Sequence, residues 1–118
     1  MATHSEITEA LRDFVEQYNS NKQLRKMNRK WTRVIQIRAT DIDSAHTLKV
    51  SNGEIKEIED RETETPDVIV SAESETLCDM FWGDLNPSEK YLAGEIKVKG
   101  PSEDIMRIDV ISTFIWGD

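Results

Sequence analysis

The chain has 118 residues, a formal net charge of −8 and a single cysteine, Cys78. This length suits one domain with a core of its own, so we expect residues 1–118 to form a single domain. The acidic balance argues against a nucleic-acid-coating protein, because phosphates would repel it, and one cysteine excludes an internal disulfide and favours a reducing cytoplasm.

The first predicted elements are two helices. Thr3 and Glu6 have the spacing of a capping box, and apolar residues follow at intervals of three and four. A second, shorter helix is predicted around Leu24, Met27 and Trp31, ending in a basic stretch. The apolar face of the first helix consists of Ile7, Leu11, Phe14, Val15 and Tyr18.

The pattern then changes to the alternation of strands. Residues 35–40 and 46–51 alternate apolar and polar side chains, and Asn52-Gly53 follows as a strong signal for a type I′ hairpin turn. A thinner strand, 54–59, returns from this turn. We expect the polar face of the sheet to meet water. The side chains predicted on that open face are Gln36, Arg38, Lys49, Lys97 and Lys99.

The second half of the chain alternates strands and helices. Residues 67–71 suggest an interior strand, and the helix after it can close at Gly83. Asn86 and Pro87 open a brief helix that Gly94 stops, and 95–100 alternates as a strand. Residues 102–116 fit a helix or a strand, and we favour a helix because Ser102 precedes two acids.

Few residues suggest catalysis. His4, His46 and Cys78 are too scattered to suggest a metal site, and Cys78 lies among apolar helix residues, as an inert buried thiol would. No glycine-rich phosphate loop is present. The first residues lack the features of a signal peptide, the last are not a peroxisomal address, and no apolar run is long enough to span a membrane.

Basic residues cluster in one stretch. Residues 19–40 contain seven basic side chains and no acid, so the rest of the chain is strongly acidic. The stretch is either a solvated face that complements acidic neighbours or a site for an anionic headgroup or membrane surface. The residues predicted for membrane contact are Lys22, Arg25, Lys26, Arg29 and Lys30.

From residue 67 onward the sequence resembles the sterol carrier protein-2 (SCP2) domain. The resemblance rests on the 67–71 strand Asp-Val-Ile-Val-Ser, on Gly83 followed by Asp84-Leu-Asn-Pro87, and on the strand between Gly94 and Gly100. It covers most of the chain and is strongest over 66–100. The sequence departs from the family after Gly100, where Pro101 stands in place of the usual glycine–aspartate turn.

The resemblance implies an α/β (α+β) fold: a five-stranded mixed sheet, helices over one face and an apolar tunnel between the layers. It also implies a non-enzymatic carrier, without a cofactor, for a fatty acid, acyl-CoA, sterol or other lipid. The alternatives are a protein-interaction or dimerisation module with a filled core, which leaves a homodimer open, and a small enzyme acting on an acyl substrate. The residues predicted to line the tunnel are Phe81, Trp82, Met106, Ile111 and Phe114.

Overall fold

The computed structural model describes residues 1–117. Its helices are α1 (His4–Ser20), α2 (Lys22–Met27), α3 (Ser74–Trp82), α4 (Pro87–Leu92) and α5 (Ser102–Trp116). Its strands are β1 (Arg33–Ala39), β2 (Ser44–Ser51), β3 (Glu54–Glu59), β4 (Val68–Ala72) and β5 (Lys97–Lys99). The ambiguous last segment is therefore a helix, and the strand predicted over 95–100 is shorter than expected.

The five strands form one mixed sheet in the order β3-β2-β1-β4-β5. β1 and β4 are parallel, and every other neighbouring pair is antiparallel. The predicted five-stranded mixed sheet is confirmed. The interior position expected for the 67–71 strand is confirmed as well, since β4 lies between β1 and β5.

One face of the sheet packs against the helices. Ile35 pairs with Leu48 and Val68, and Ile37 pairs with Val70, so apolar side chains stand side by side across the central strands. These side chains are buried. They form a continuous core with the inward stripes of α1 and α3, as expected for a sheet with one covered face.

The opposite face is only partly open, which corrects the prediction that it meets water. Lys97 and Lys99 are exposed, but Gln36 and Thr47 are buried. The loop 60–65 crosses the middle of this face: the Thr63 N–H donates to Gln36 Oε1 at 3.2 Å, and the Thr47 hydroxyl donates to the carbonyl of Arg61 at 2.7 Å. Hydrogen bonds to this loop satisfy polar side chains that would otherwise need solvent.

The turn and capping predictions are confirmed. Thr3 and Glu6 form both halves of the capping box, and Asn86 accepts the backbone N–H groups of two residues in α4. Gly83 ends α3 with φ of 82°. Asn52 and Gly53 both have positive φ, as a type I′ turn requires.

Two histidines attach the start of α1 to β2. The ring of His4 stacks on that of His46 with centroids 4.1 Å apart, and His46 Nε2 lies 2.7 Å from the Thr8 hydroxyl. His46 is buried. Burial, together with the neighbouring His4, lowers the pKa of His46 to about 4, so the ring is neutral near pH 7.

Candidate functional site

An apolar cavity of about 480 Å³ lies between the sheet and the helices. This volume falls within the range of about 300–1,000 Å³ that small-molecule sites occupy. Its floor is the apolar face of the sheet. The floor residues are Ile35, Ile37, Leu48, Val50, Ile55, Val70, Ile96 and Val98, and the helices contribute Phe14, Tyr18, Met80, Phe81, Tyr91, Leu92, Ile105, Met106, Ile108, Ile111 and Trp116.

Three aromatic rings form one wall of the cavity. Phe14, Phe81 and Trp116 contact one another with centroids 5.2 to 6.0 Å apart. Gly83 lies behind Trp116, and a Cβ added there would come within 3.0 Å of the indole Cδ1. Glycine at this position therefore both ends α3 and leaves room for the indole.

The buried lining residue Tyr18 marks the inner end of the cavity and makes two hydrogen bonds there. The Tyr18 hydroxyl donates to the Gly53 carbonyl at 2.8 Å and accepts from Asn28 Nδ2 at 3.1 Å. Burial is the main cause that raises the pKa of Tyr18, so the phenol stays protonated. The polar groups at this end are thus satisfied within the protein.

The outer end of the cavity opens between α4 and α5, and we call this opening the mouth; it is formed by Tyr91, Leu92 and Met106. Their side chains line the cavity although they are 46%, 84% and 69% exposed, respectively. α4 buries none of its residues. Large apolar side chains thus remain in contact with water at the mouth.

The sequence from residue 11 to residue 112 matches the model of the SCP-2 sterol transfer family. This match covers most of the chain. The chain belongs to the SCP-2 sterol transfer family. A comparison with curated protein sequences gave no match.

Solved structures show the same fold. The SCP2 domain superimposes on sterol carrier protein domain 2 of Helicoverpa armigera with a TM-score of 0.68 and 16% identity, covering 96% of this chain and 90% of that one. Against palmitated SCP2L2 from Aedes aegypti the TM-score is 0.61 with 16% identity, over 84% and 91% of the two chains. These structures share the fold, and membership of the SCP-2 sterol transfer family supports a lipid-binding or lipid-transfer domain.

A third similarity is to part of a larger enzyme. The sec-alkylsulfatase Pisa1 from Pseudomonas sp. matches with a TM-score of 0.55 and 15% identity over 71% of this chain. The SCP2 domain spans only 14% and 13% of the lengths of the two sulfatase structures that it matches. At this identity the similarity concerns the fold alone.

The structure brings three of the five residues predicted to line the tunnel to the cavity: Phe81, Met106 and Ile111. Trp82 and Phe114 are not among its lining residues, and their side chains are 47% and 40% exposed. Sequence reasoning did not name the sheet residues or Phe14 and Tyr18, although the alternation of the strands and the stripe of α1 indicated where those side chains would point.

The five basic residues predicted to contact anionic membranes are all exposed around α2. Arg25 pairs with Glu54 at 3.5 Å. The end of α2 contacts the cavity-lining helix α5, since Arg107 donates to Asn28 Oδ1 at 2.6 Å and its guanidinium lies 5.6 Å from the centre of the Trp31 ring. The basic segment therefore borders the same helix as the mouth.

The structure also places the residues considered for metal binding or nucleophilic chemistry. Within residues 1–117, no three His, Cys, Asp or Glu side chains cluster as a metal site would require. Cys78 is buried, and burial raises the pKa of its thiol, which disfavours the nucleophilic thiolate. None of the helices in this range has the length and apolar composition needed to cross a bilayer.

Proposed function

We propose that this domain is a non-enzymatic carrier that holds a lipid in the cavity between sheet and helices. The apolar cavity of about 480 Å³ is the observation that supports the proposal most directly. Burying a methylene group from water is worth about 0.8 kcal/mol, so a long aliphatic chain gains enough to offset its ordering. Phe81, Met106 and Ile111 would contact the ligand.

Two further observations favour a carrier over the alternatives. An interaction module with a filled core would not need open space between its layers. The relative from Aedes aegypti with the same fold is described as palmitated.

The lone buried thiol of Cys78 suits a reducing compartment, and we propose the cytoplasm as the place of action.

Filling the cavity tests the carrier function. Ile108 lines the cavity on α5, whereas Val110 is on the same helix, is 36% exposed and is not a lining residue. We expect Ile108→Trp to weaken binding of a neutral fluorescent lipid probe at least about tenfold, because the indole takes the space of the ligand. Val110→Trp should change affinity less than about threefold.

Native mass spectrometry of the wild-type protein tests whether a lipid co-purifies with it. Thermal unfolding of Ile108→Trp and Val110→Trp tests whether each variant is folded. Failure of wild-type protein to bind the probe or to retain any lipid would contradict the carrier function. Equal affinity of Ile108→Trp and wild type would place the ligand elsewhere.

We also propose that the basic segment around α2 contacts anionic membranes during transfer. Its Lys22, Lys26, Arg29 and Lys30 are exposed, and the segment is joined to α5 by the hydrogen bond from Arg107 to Asn28. A basic residue near an anionic surface contributes about 1 kcal/mol. Binding to phosphatidylcholine vesicles with added phosphatidylserine should therefore fall as salt rises above about 0.1 M, where charges are screened beyond about 10 Å.

Charge reversal locates the contact. The double variant Lys26→Glu/Lys30→Glu should abolish vesicle binding, whereas Lys97→Glu/Lys99→Glu changes the net charge equally on the opposite face of the sheet and should retain most of it. Equal losses in the two double variants would mean that net charge alone governs attraction. Binding that salt does not weaken would show that the basic segment is an ordinary solvated face.

A further inference from the structure

Helix α5 presents an apolar stripe with two polar positions to the cavity. Ile105, Ile108 and Trp116 share this stripe with Asp109 and Ser112 at the three- and four-residue spacing of one helix face. Ile111 lies beside them. The carboxylate of Asp109, the hydroxyl of Ser112 and the indole N–H of Trp116, which is unpartnered within residues 1–117, therefore lie on a helix face whose other side chains offer a ligand only hydrocarbon.

Among the described residues that line the cavity, Asp109 is the one with a charged side chain. The lining contains no lysine, arginine or histidine. The cations nearby are occupied by protein partners. Arg107 donates to Asn28 and lies over Trp31, and Arg33 Nε donates to Asp104 at 3.0 Å. A carboxylate or phosphate headgroup would find no cation to pair with inside the cavity.

The polar groups near the mouth are free to meet a ligand. Within residues 1–117, neither the Asp109 carboxylate nor the hydroxyls of Ser112 and Ser88 have a side-chain hydrogen-bond partner, and Asp109 has no ion-pair partner. Ser88 faces the cavity from α4, and Ser112 faces it from α5. At the inner end, by contrast, the Tyr18 hydroxyl already has two partners.

We propose that Asp109 is a specificity-determining residue that selects neutral lipids whose head is a hydroxyl and disfavours lipids with an anionic head. The inference rests on the proposed carrier function. The aliphatic part of the ligand lies in the cavity, and its hydroxyl donates to the Asp109 carboxylate. A hydrogen bond to a charged acceptor is stronger than one between neutral groups. An anionic head at the same place would be repelled.

The expected discrimination is moderate because Asp109 is exposed to water. Two like charges about 4 Å apart in a watery surrounding repel by an amount equivalent to about fivefold in affinity, and more where the surroundings are less polar. We therefore expect dodecan-1-ol to bind between about fivefold and fiftyfold more tightly than dodecanoate, which has the same number of carbon atoms.

Competition against a bound neutral fluorescent probe measures both affinities, at about pH 8 where the carboxylic acid is ionised. Asp109→Asn should move them in opposite directions: dodecanoate should bind about fivefold more tightly and dodecan-1-ol slightly more weakly. Asp109→Lys should reverse the preference. Glu103→Gln, which removes the same charge from an exposed position on α5 outside the cavity, should leave the ratio unchanged.

The outcomes separate this inference from the function on which it rests. If neither compound displaces the probe and the probe itself does not bind, the carrier function fails. If both compounds displace the probe, the carrier function stands. In that case two results would overturn the role of Asp109. One is that wild-type protein binds dodecan-1-ol and dodecanoate with equal affinity. The other is that Asp109→Asn and Glu103→Gln change the ratio of these affinities by the same factor.

Discussion

Gly53→Ala is expected to lower the free energy of unfolding by about 3 kcal/mol or more. The hairpin turn lies directly against the end of α2. A Cβ at Gly53 would come within 2.6 Å of the Asn28 carbonyl oxygen and 3.0 Å of the Arg25 carbonyl oxygen. These atoms belong to backbone, so no side-chain rotation relieves the overlap.

Gly94→Ala is the matched control. Gly94 has φ of 80°, almost the same as the 79° of Gly53, but a Cβ there meets nothing within 4 Å. Its replacement should therefore cost only the left-handed backbone conformation, about 1 kcal/mol. Urea unfolding of both variants measures the difference, and equal losses would show that the turn can move away from α2 freely.

The consequence of Gly53→Ala should extend to the cavity. Gly53 accepts the Tyr18 hydroxyl through its carbonyl and donates its N–H to the Trp31 carbonyl at 3.0 Å. Both Tyr18 and Trp31 line the cavity. A turn displaced from α2 would disturb the inner end of the cavity, so we expect lipid affinity to fall together with stability.

Features that depend on nearby residues were predictable from the sequence. The capping box joins Thr3 to Glu6, and Asn86 caps a helix that begins one residue later. The burial of Gln36 was not predictable, because it depends on a hydrogen bond from Thr63, which is 27 residues away. Alternation identifies the two faces of a sheet, but it does not reveal which loop will cross the polar one.

The candidate site illustrates the same limit. α5 has apolar residues on most of its circumference, so its sequence does not determine which of them turn toward the sheet. In the structure Ile111 is buried, whereas Phe114 is 40% exposed. Asp104 shares the buried side with Ile111 seven residues later, which is close to two helical turns. The rotation of α5 that buries Asp104 leaves Phe114 partly exposed, and it sets which side chains of α5 line the cavity.

Asp104 is accordingly expected to be the most sensitive polar position of α5. Its carboxylate is buried and accepts from Trp31 Nε1 at 2.9 Å and from Arg33 Nε at 3.0 Å. The bond from Asp104 also raises the pKa of Arg33. Asp104→Ala should cost about 2–3 kcal/mol, since it leaves the buried Trp31 N–H without an acceptor, whereas Arg33 is partly exposed and stays hydrated.

Two variants separate the contributions at this position. Asp104→Asn keeps an acceptor for Trp31 and loses only the charge, so its cost should lie between those of wild type and Asp104→Ala. Glu103→Gln, at an exposed position in the same first turn, should cost less than about 0.5 kcal/mol.

Because Asp104 holds α5 in this rotation, Asp104→Ala should also weaken binding of the neutral lipid probe under conditions where the variant remains folded. If Asp104→Ala had the same free energy of unfolding and the same affinity for the probe as Glu103→Gln, the result would mean that apolar packing alone orients α5.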